Sequence, residues 1–303
     1  ISNKISFFSL TFFGIVTLYL YFVNLKSGNV TFSDAAKFAD VARNVISHNG
    51  YSSNFSFFNS EALSISGFYP VSRWIPPIMP LAIAGFFKVF GILDLSVIAA
   101  SSTFYVLLVL TTFLLGRKLW GNLVGVLSAI AVATNVNFLD YATSGASETL
   151  FAFEIVLAAY LFIFKEKWAN ICGFLVLVAM YFTKAQAIIY IFGLLFLFFL
   201  LNFTLRKALG YIMVIFVVGS FIYFFVTKQG LFAVTQHLPG VATSDALRGA
   251  VQNADLFILG KKVFYNLYNF YRLLPEIASP YMWGLFVIGL FHWRKNLVEN
   301  SLK

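Results

Sequence analysis

The chain has 303 residues, of which 60% are hydrophobic, 19% aromatic and 11% charged, with a formal net charge of +9. Soluble domains carry about 25% charged residues, so this composition excludes a soluble globule. The positive charge does not call for nucleic acid, because cations of membrane proteins gather in cytoplasmic loops and set orientation.

The apolar runs are continuous, where those of a barrel would alternate, so the fold class is an all-α polytopic membrane protein. A spanning helix needs about 20 mostly apolar residues. In chain order the predicted spans are 5–23, 96–115, 119–137, 148–164, 168–183, 185–203, 209–227 and 279–292. Lys4 and the cationic loops at 116–118, 165–167, 205–207 and 292–295 alternate with the crossings, which places them and the N-terminus on the cytoplasmic side. Segments 24–95, 138–147 and 228–278 then lie outside. Ten of the twelve acids fall outside or near that boundary, leaving Glu166 and Glu299 inside. The segment RWIPPIMPLAIAGFFKVFG (73–91) has three prolines in its first half, and a crossing there would break the charge alternation. It reads as a helix in the outer interface. The loop 228–278 is long enough for a functional role to be expected. Cys172 is the one cysteine, so no disulfide or cysteine-based zinc site forms within the chain. The chain starts at Ile1 and stops soon after an apolar segment, and it is expected to be a fragment that forms one domain over 1–303.

After the first span comes TFSDAAKFADVARNVISHNGY (31–51). Phe38, Val41, Ala42, Val45 and Ile46 recur at helical spacing, and Asn49-Gly50 stops the helix. Lys37, Asp40, Arg43, Asn44 and Ser47 share the other face, which makes Asp40 an expected solvated acid. Asp34 falls on the apolar face at the helix N-terminus, where backbone N–H groups favour a carboxylate. It serves either as an N-cap, in competition with Ser33, or as a general base aimed at the membrane-embedded interior.

Farther along, Glu148 follows Ser147 at a predicted helix start. It either complements the helix dipole or acts as a second site carboxylate that orients an acceptor or binds a metal. Glu154 lies two turns into the same span, where acids are costly and usually paired or functional. Asp140 is a weaker candidate at a span end. Lys184, between two apolar runs, is either a snorkelling lysine or a counter-ion for a phosphate. Arg73, His237 and Arg248 could each meet a phosphate or simply face headgroups and solvent. His48 and His292 read as structural. Asn29, Asn54 and Asn202 open Asn-X-Ser/Thr triplets that carry little weight.

The Asp34 stretch, with an aromatic at +4, Ala at +8 and Gly-Tyr at +16 and +17, resembles the first outer loop of the GT-C glycosyltransferases of the protein mannosyltransferase and aminoarabinose transferase type. RWIPPIMPLAIAGFFKVFG resembles their Pro-rich juxtamembrane segment. GRKLWGNLVGVLSAIAVATNVNFLDYATSGASETLF resembles a span followed by an outer loop whose acid opens the next helix. AMYFTKAQAIIY resembles their Thr-Lys turn. The matching order covers about residues 1–205, although Arg-Trp-Ile-Pro-Pro stands where some members have Lys-Pro-Pro, and the family's C-terminal part is expected to be missing or shortened here.

This resemblance implies a GT-C-like bundle of about eight spans with juxtamembrane helices. It implies inverting transfer of a sugar from a polyprenyl-phosphate carrier to a hydroxyl acceptor at the outer face of a prokaryotic plasma membrane. Asp34 maps onto the base; Glu148 is the candidate second carboxylate, and Arg73, Lys184, His237 and Tyr51 are the candidate substrate-binding residues. No resident cofactor is implied, and a divalent cation is left open. The partners are the lipid-linked donor, membrane lipids and the acceptor. The competing functions are a transporter or lipid flippase, which would carry an internal repeat and midplane charges, and a scaffold, which would not explain Asp34.

Overall fold

A computed structural model describes residues 3–25, 28–30, 32–54, 69–70, 75–164, 166–184 and 186–203, all within one compact unit, Ile1–Thr243. Arg73 and His237 lie outside the described residues, as do Arg248, His292 and the expected spans 209–227 and 279–292. The helices are α1 (Asn3–Leu25), α2 (Ser33–Ile46), α3 (Ile78–Phe90), α4 (Asp94–Trp120), α5 (Asn122–Ala133), α6 (Val136–Ser144), α7 (Glu148–Ile163), α8 (Lys167–Thr183) and α9 (Ala187–Asn202). A two-residue antiparallel bridge pairs β1 (Ser52–Ser53) with β2 (Tyr69–Pro70).

Six expected spans coincide with helices, with one correction. The run 119–137 is not one straight helix. α4 carries on through the expected basic loop, so Arg117 and Lys118 form its last turn, where cations suit the dipole. α5 then ends at Ala133, and Asn135 restarts the chain by accepting the Phe138 N–H at 3.2 Å. α5 and α6 are bent by 57° at that break, and residues 138–144 of the expected outer loop are helical. Among the described residues, α4 is long and apolar enough to cross a membrane, and α5 with α6 qualifies as a bent pair.

Three apolar clusters hold the unit together. The first packs α2 on α3 and on the starts of α4 and α7, through Ala35, Phe38, Val41, Ala42, Met79, Ile83, Phe87, Val97 and Leu150. The second joins α1, α4, α5 and α6 around Tyr105, Val109 and Phe113. The third joins α7, α8 and α9 around Phe162, Leu177 and Met180. Buried hydroxyls add bonds that apolar surroundings strengthen. Ser101 Oγ donates to Ala142 O at 2.7 Å, Thr149 Oγ1 to Ser101 O at 3.0 Å, and Tyr105 Oη to Ala133 O at 2.7 Å. These bonds tie α4 to α6, α7 and α5. α4 and α7 run parallel, since Thr149 meets Ser101 and Phe153 stacks near Phe104. α8 returns antiparallel to α7.

Candidate functional site

One end of the bundle gathers the acids singled out by the sequence. The α6–α7 turn passes through Gly145 at φ 82°, in the left-handed region that suits glycine. A Cβ on Gly145 would stand 2.8 Å from Val97 Cγ1 and 3.0 Å from Ala35 Cβ. The first turn of α2 thereby lies close against the α6–α7 turn. The Phe32 ring meets Tyr141 edge-on with centroids 6.4 Å apart, closing the same junction. Asp34 and Glu148 therefore stand at the same end, one at each helix start.

Asp34 differs from the expectation in its surroundings. It does not face an apolar interior: its side chain is 51% exposed, and Lys37 Nζ donates to its Oδ1 at 2.7 Å. Nor does it cap α2, whose N-cap residue is Phe32 with no side-chain cap bond. Its place in the first turn still lets it interact favourably with the helix dipole, and its exposure leaves it open to a reactant.

Asp40 is the larger correction. It is not solvated but buried, at 4% exposure. Ser53 Oγ and Asn54 N both donate to Oδ2, at 2.6 and 2.8 Å, and Arg43 Nη2 donates to Oδ1 at 2.5 Å. Asn44 is buried beside it and donates to Ser52 O at 3.0 Å. The chain after Gly50 folds back over Asp40 and Asn44, so these two meet backbone and hydroxyl groups rather than water. Tyr51 belongs to the same fold-back. Its hydroxyl donates to Ile75 O at 2.8 Å, fastening the start of the Pro-rich segment, and burial pushes its phenol above the ordinary tyrosine range.

Glu148 and Lys184 form a pair that separate readings of the sequence did not join. Lys184 Nζ donates to Glu148 Oε1 at the antiparallel end where α8 finishes and α7 begins. Both side chains are about one quarter exposed, at 25% and 24%. Glu148 Oε2 is buried without a hydrogen-bond partner among the described residues. Nearly two turns farther along α7, Thr183 Oγ1 donates to Glu154 Oε1 at 2.8 Å, and Glu154 is 4% exposed. The sequence marked Glu154 as costly but offered no sign of Thr183 as its partner. Among the described residues no three His, Cys, Asp or Glu side chains gather into a metal-ligating set.

Half-exposed Asp34 and the Glu148–Lys184 pair, at one end of an apolar helical unit, define a membrane protein with a polar site at a helix-bundle end. The family of dolichyl-phosphate-mannose-protein mannosyltransferases matches residues 75–227, just over half of the chain. The chain belongs to that family, and it is a glycosyltransferase of the GT-C type embedded in a membrane. The matched segment contains Glu148, Glu154, Thr183 and Lys184, while Asp34 and Tyr51 precede it. Comparison with curated proteins gives no match, and neither does comparison with solved structures.

Proposed function

We propose that the chain moves a sugar from a polyprenyl-phosphate carrier to a hydroxyl acceptor, with inversion at the anomeric carbon, on the outer face of the membrane. The observation that carries this reading is the Glu148–Lys184 pair at the bundle end where the first turn of α2, with half-exposed Asp34, lies against the α6–α7 turn. The acceptor oxygen attacks the anomeric carbon, its proton passes to an Asp34 carboxylate oxygen, and the bond from that carbon to the phosphate oxygen breaks. The lipid phosphate leaves with the bonding electrons. The Lys184 ammonium, one quarter exposed, is the cation that receives this growing negative charge. Glu148 Oε2 accepts a hydrogen bond from the bound acceptor or sugar and fixes its angle of approach. The outer face and a cytoplasmic N-terminus follow from the charge alternation. A prokaryotic plasma membrane is the setting proposed for the reaction.

The test is turnover by the purified protein in nanodiscs, offered a panel of polyprenyl-phosphate sugars with hydroxyl acceptors. Release of polyprenyl phosphate together with formation of a glycoside supports the reading. Movement of the intact lipid-linked sugar across the bilayer without release would favour the flippase alternative.

A further inference from the structure

Glu154 is a buried acid that the proposed reaction does not use. It sits on α7 at 4% exposure, with Oε1 bonded to Thr183 Oγ1 and Oε2 without a hydrogen-bond partner among the described residues. Thr183 is itself 2% exposed and is the last helical residue of α8. Lys184 is the next residue, where the backbone leaves the helix for an extended conformation. We propose that Glu154 is a positioning residue: by holding Thr183 it sets how far α8 has slid along α7, and so where the Lys184 ammonium stands against Glu148. The inference rests on the reading of Lys184 as the cation that meets the leaving phosphate.

The packing between α7 and α8 does not fix that register alone. It consists of Phe162, Leu177, Met180 and neighbouring apolar side chains, with the Phe162 ring seated on Gly173. Apolar contacts of this kind are non-directional and tolerate sliding. A hydrogen bond between two nearly dry side chains has one geometry, and its loss strands a polar group in apolar surroundings. The Thr183 hydroxyl also approaches Ala179 O at 3.0 Å. It has a single hydrogen for two oxygens. A glutamine at 154 suits both contacts: its amide donates to Thr183 Oγ1 and leaves the hydroxyl hydrogen for Ala179. Leucine at 154 fills the space and offers nothing to Thr183.

The experiment uses the full chain in nanodiscs, with Glu154→Gln, Glu154→Leu and Thr183→Val made alone and in a Lys184→Met background. KM and kcat are read with a polyprenyl-phosphate sugar that the wild type turns over, and Tm is read for every variant. Glu154→Leu and Thr183→Val should each raise the donor KM about threefold to tenfold, the range set by one interhelical hydrogen bond, with kcat changed less. Glu154→Gln should restore the wild-type KM. In the Lys184→Met background, Glu154→Leu should add no further rise. The inference is overturned if glutamine is as damaging as leucine, or if the leucine effect persists undiminished without Lys184. If the wild type turns over no donor, the proposed function fails, and Tm then decides this inference separately. Non-additive losses for Glu154→Leu and Lys184→Met support coupling between the two, while additive losses remove it.

Discussion

Ser53 donates its hydroxyl to Asp40 Oδ2 at 2.6 Å, which locks the segment after α2 onto the face of that helix. With Asn54 N and Arg43 also donating, the carboxylate is fully engaged. Asp40→Asn puts an N–H₂ where donors converge and should cost about 2 kcal/mol, the scale of a hydrogen bond to a charged group. The expected outcome is a lower Tm with KM and kcat close to wild type at temperatures where the protein stays folded. Thermal unfolding alongside turnover at low temperature checks it.

Gly145 carries the junction between α2 and the α6–α7 turn. Gly145→Ala forces a side chain into the left-handed region and against Val97 Cγ1 at 2.8 Å. A loss of about 1–3 kcal/mol is expected from the strained backbone. Because Ala35 lies on the other side of the same contact, activity should fall even in the folded fraction, as α2 is pushed away from the α6–α7 turn. Folded yield by gel filtration, with turnover per folded molecule, measures both effects.

Lys184→Met removes the cation from the Glu148 pair and leaves Glu148 without its partner. The variant should lose donor binding and rate together, about tenfold to a hundredfold in kcat/KM, because a charge-assisted contact to the departing phosphate is missing. Lys184→Arg keeps the charge and should fall between wild type and Met. Steady-state kinetics with varied donor distinguishes the three proteins.

Tyr51→Phe deletes only the hydroxyl that bonds Ile75 O at 2.8 Å. A stability loss of about 1 kcal/mol is expected. If Tyr51 served the lipid-linked sugar directly, the donor KM would rise more than stability falls. The fastening role instead predicts a lower Tm with little change in KM, and comparison of the two quantities separates them.

Much of the architecture was legible because membrane helices are written in length and hydropathy. The ends of α7, α8 and α9 fall within a few residues of the expected spans. The apolar face of α2 was legible too, with Phe38, Val41 and Ala42 all buried. What failed was whatever depended on distant chain. Periodicity showed that Asp40 and Asn44 oppose the apolar face, but not that residues 52–54 return to cover them. The α5–α6 break hid inside an apolar run, and its signal was Asn135, a capping residue where a continuous span would not place one. Glu148 and Lys184 were each singled out, yet 36 residues of chain separate them and spacing gives no hint of their pairing. Asp34 was picked for facing the interior, whereas it stands half-exposed beside Lys37. Its claim to chemistry now rests on its accessibility and on its place in the first turn of α2, which lies against the α6–α7 turn.

The most direct test of the account is Asp34→Asn in the full chain, assayed for release of polyprenyl phosphate from a donor that the wild type uses. Glu166→Gln is the matched control, an exposed acid at the opposite end of α8. The account predicts a loss of about 10²–10⁴-fold in kcat for Asp34→Asn, the scale of general-base catalysis, with Tm unchanged and the control like wild type. Normal turnover by a folded Asp34→Asn protein would contradict it, and the base would then have to be sought at Glu148.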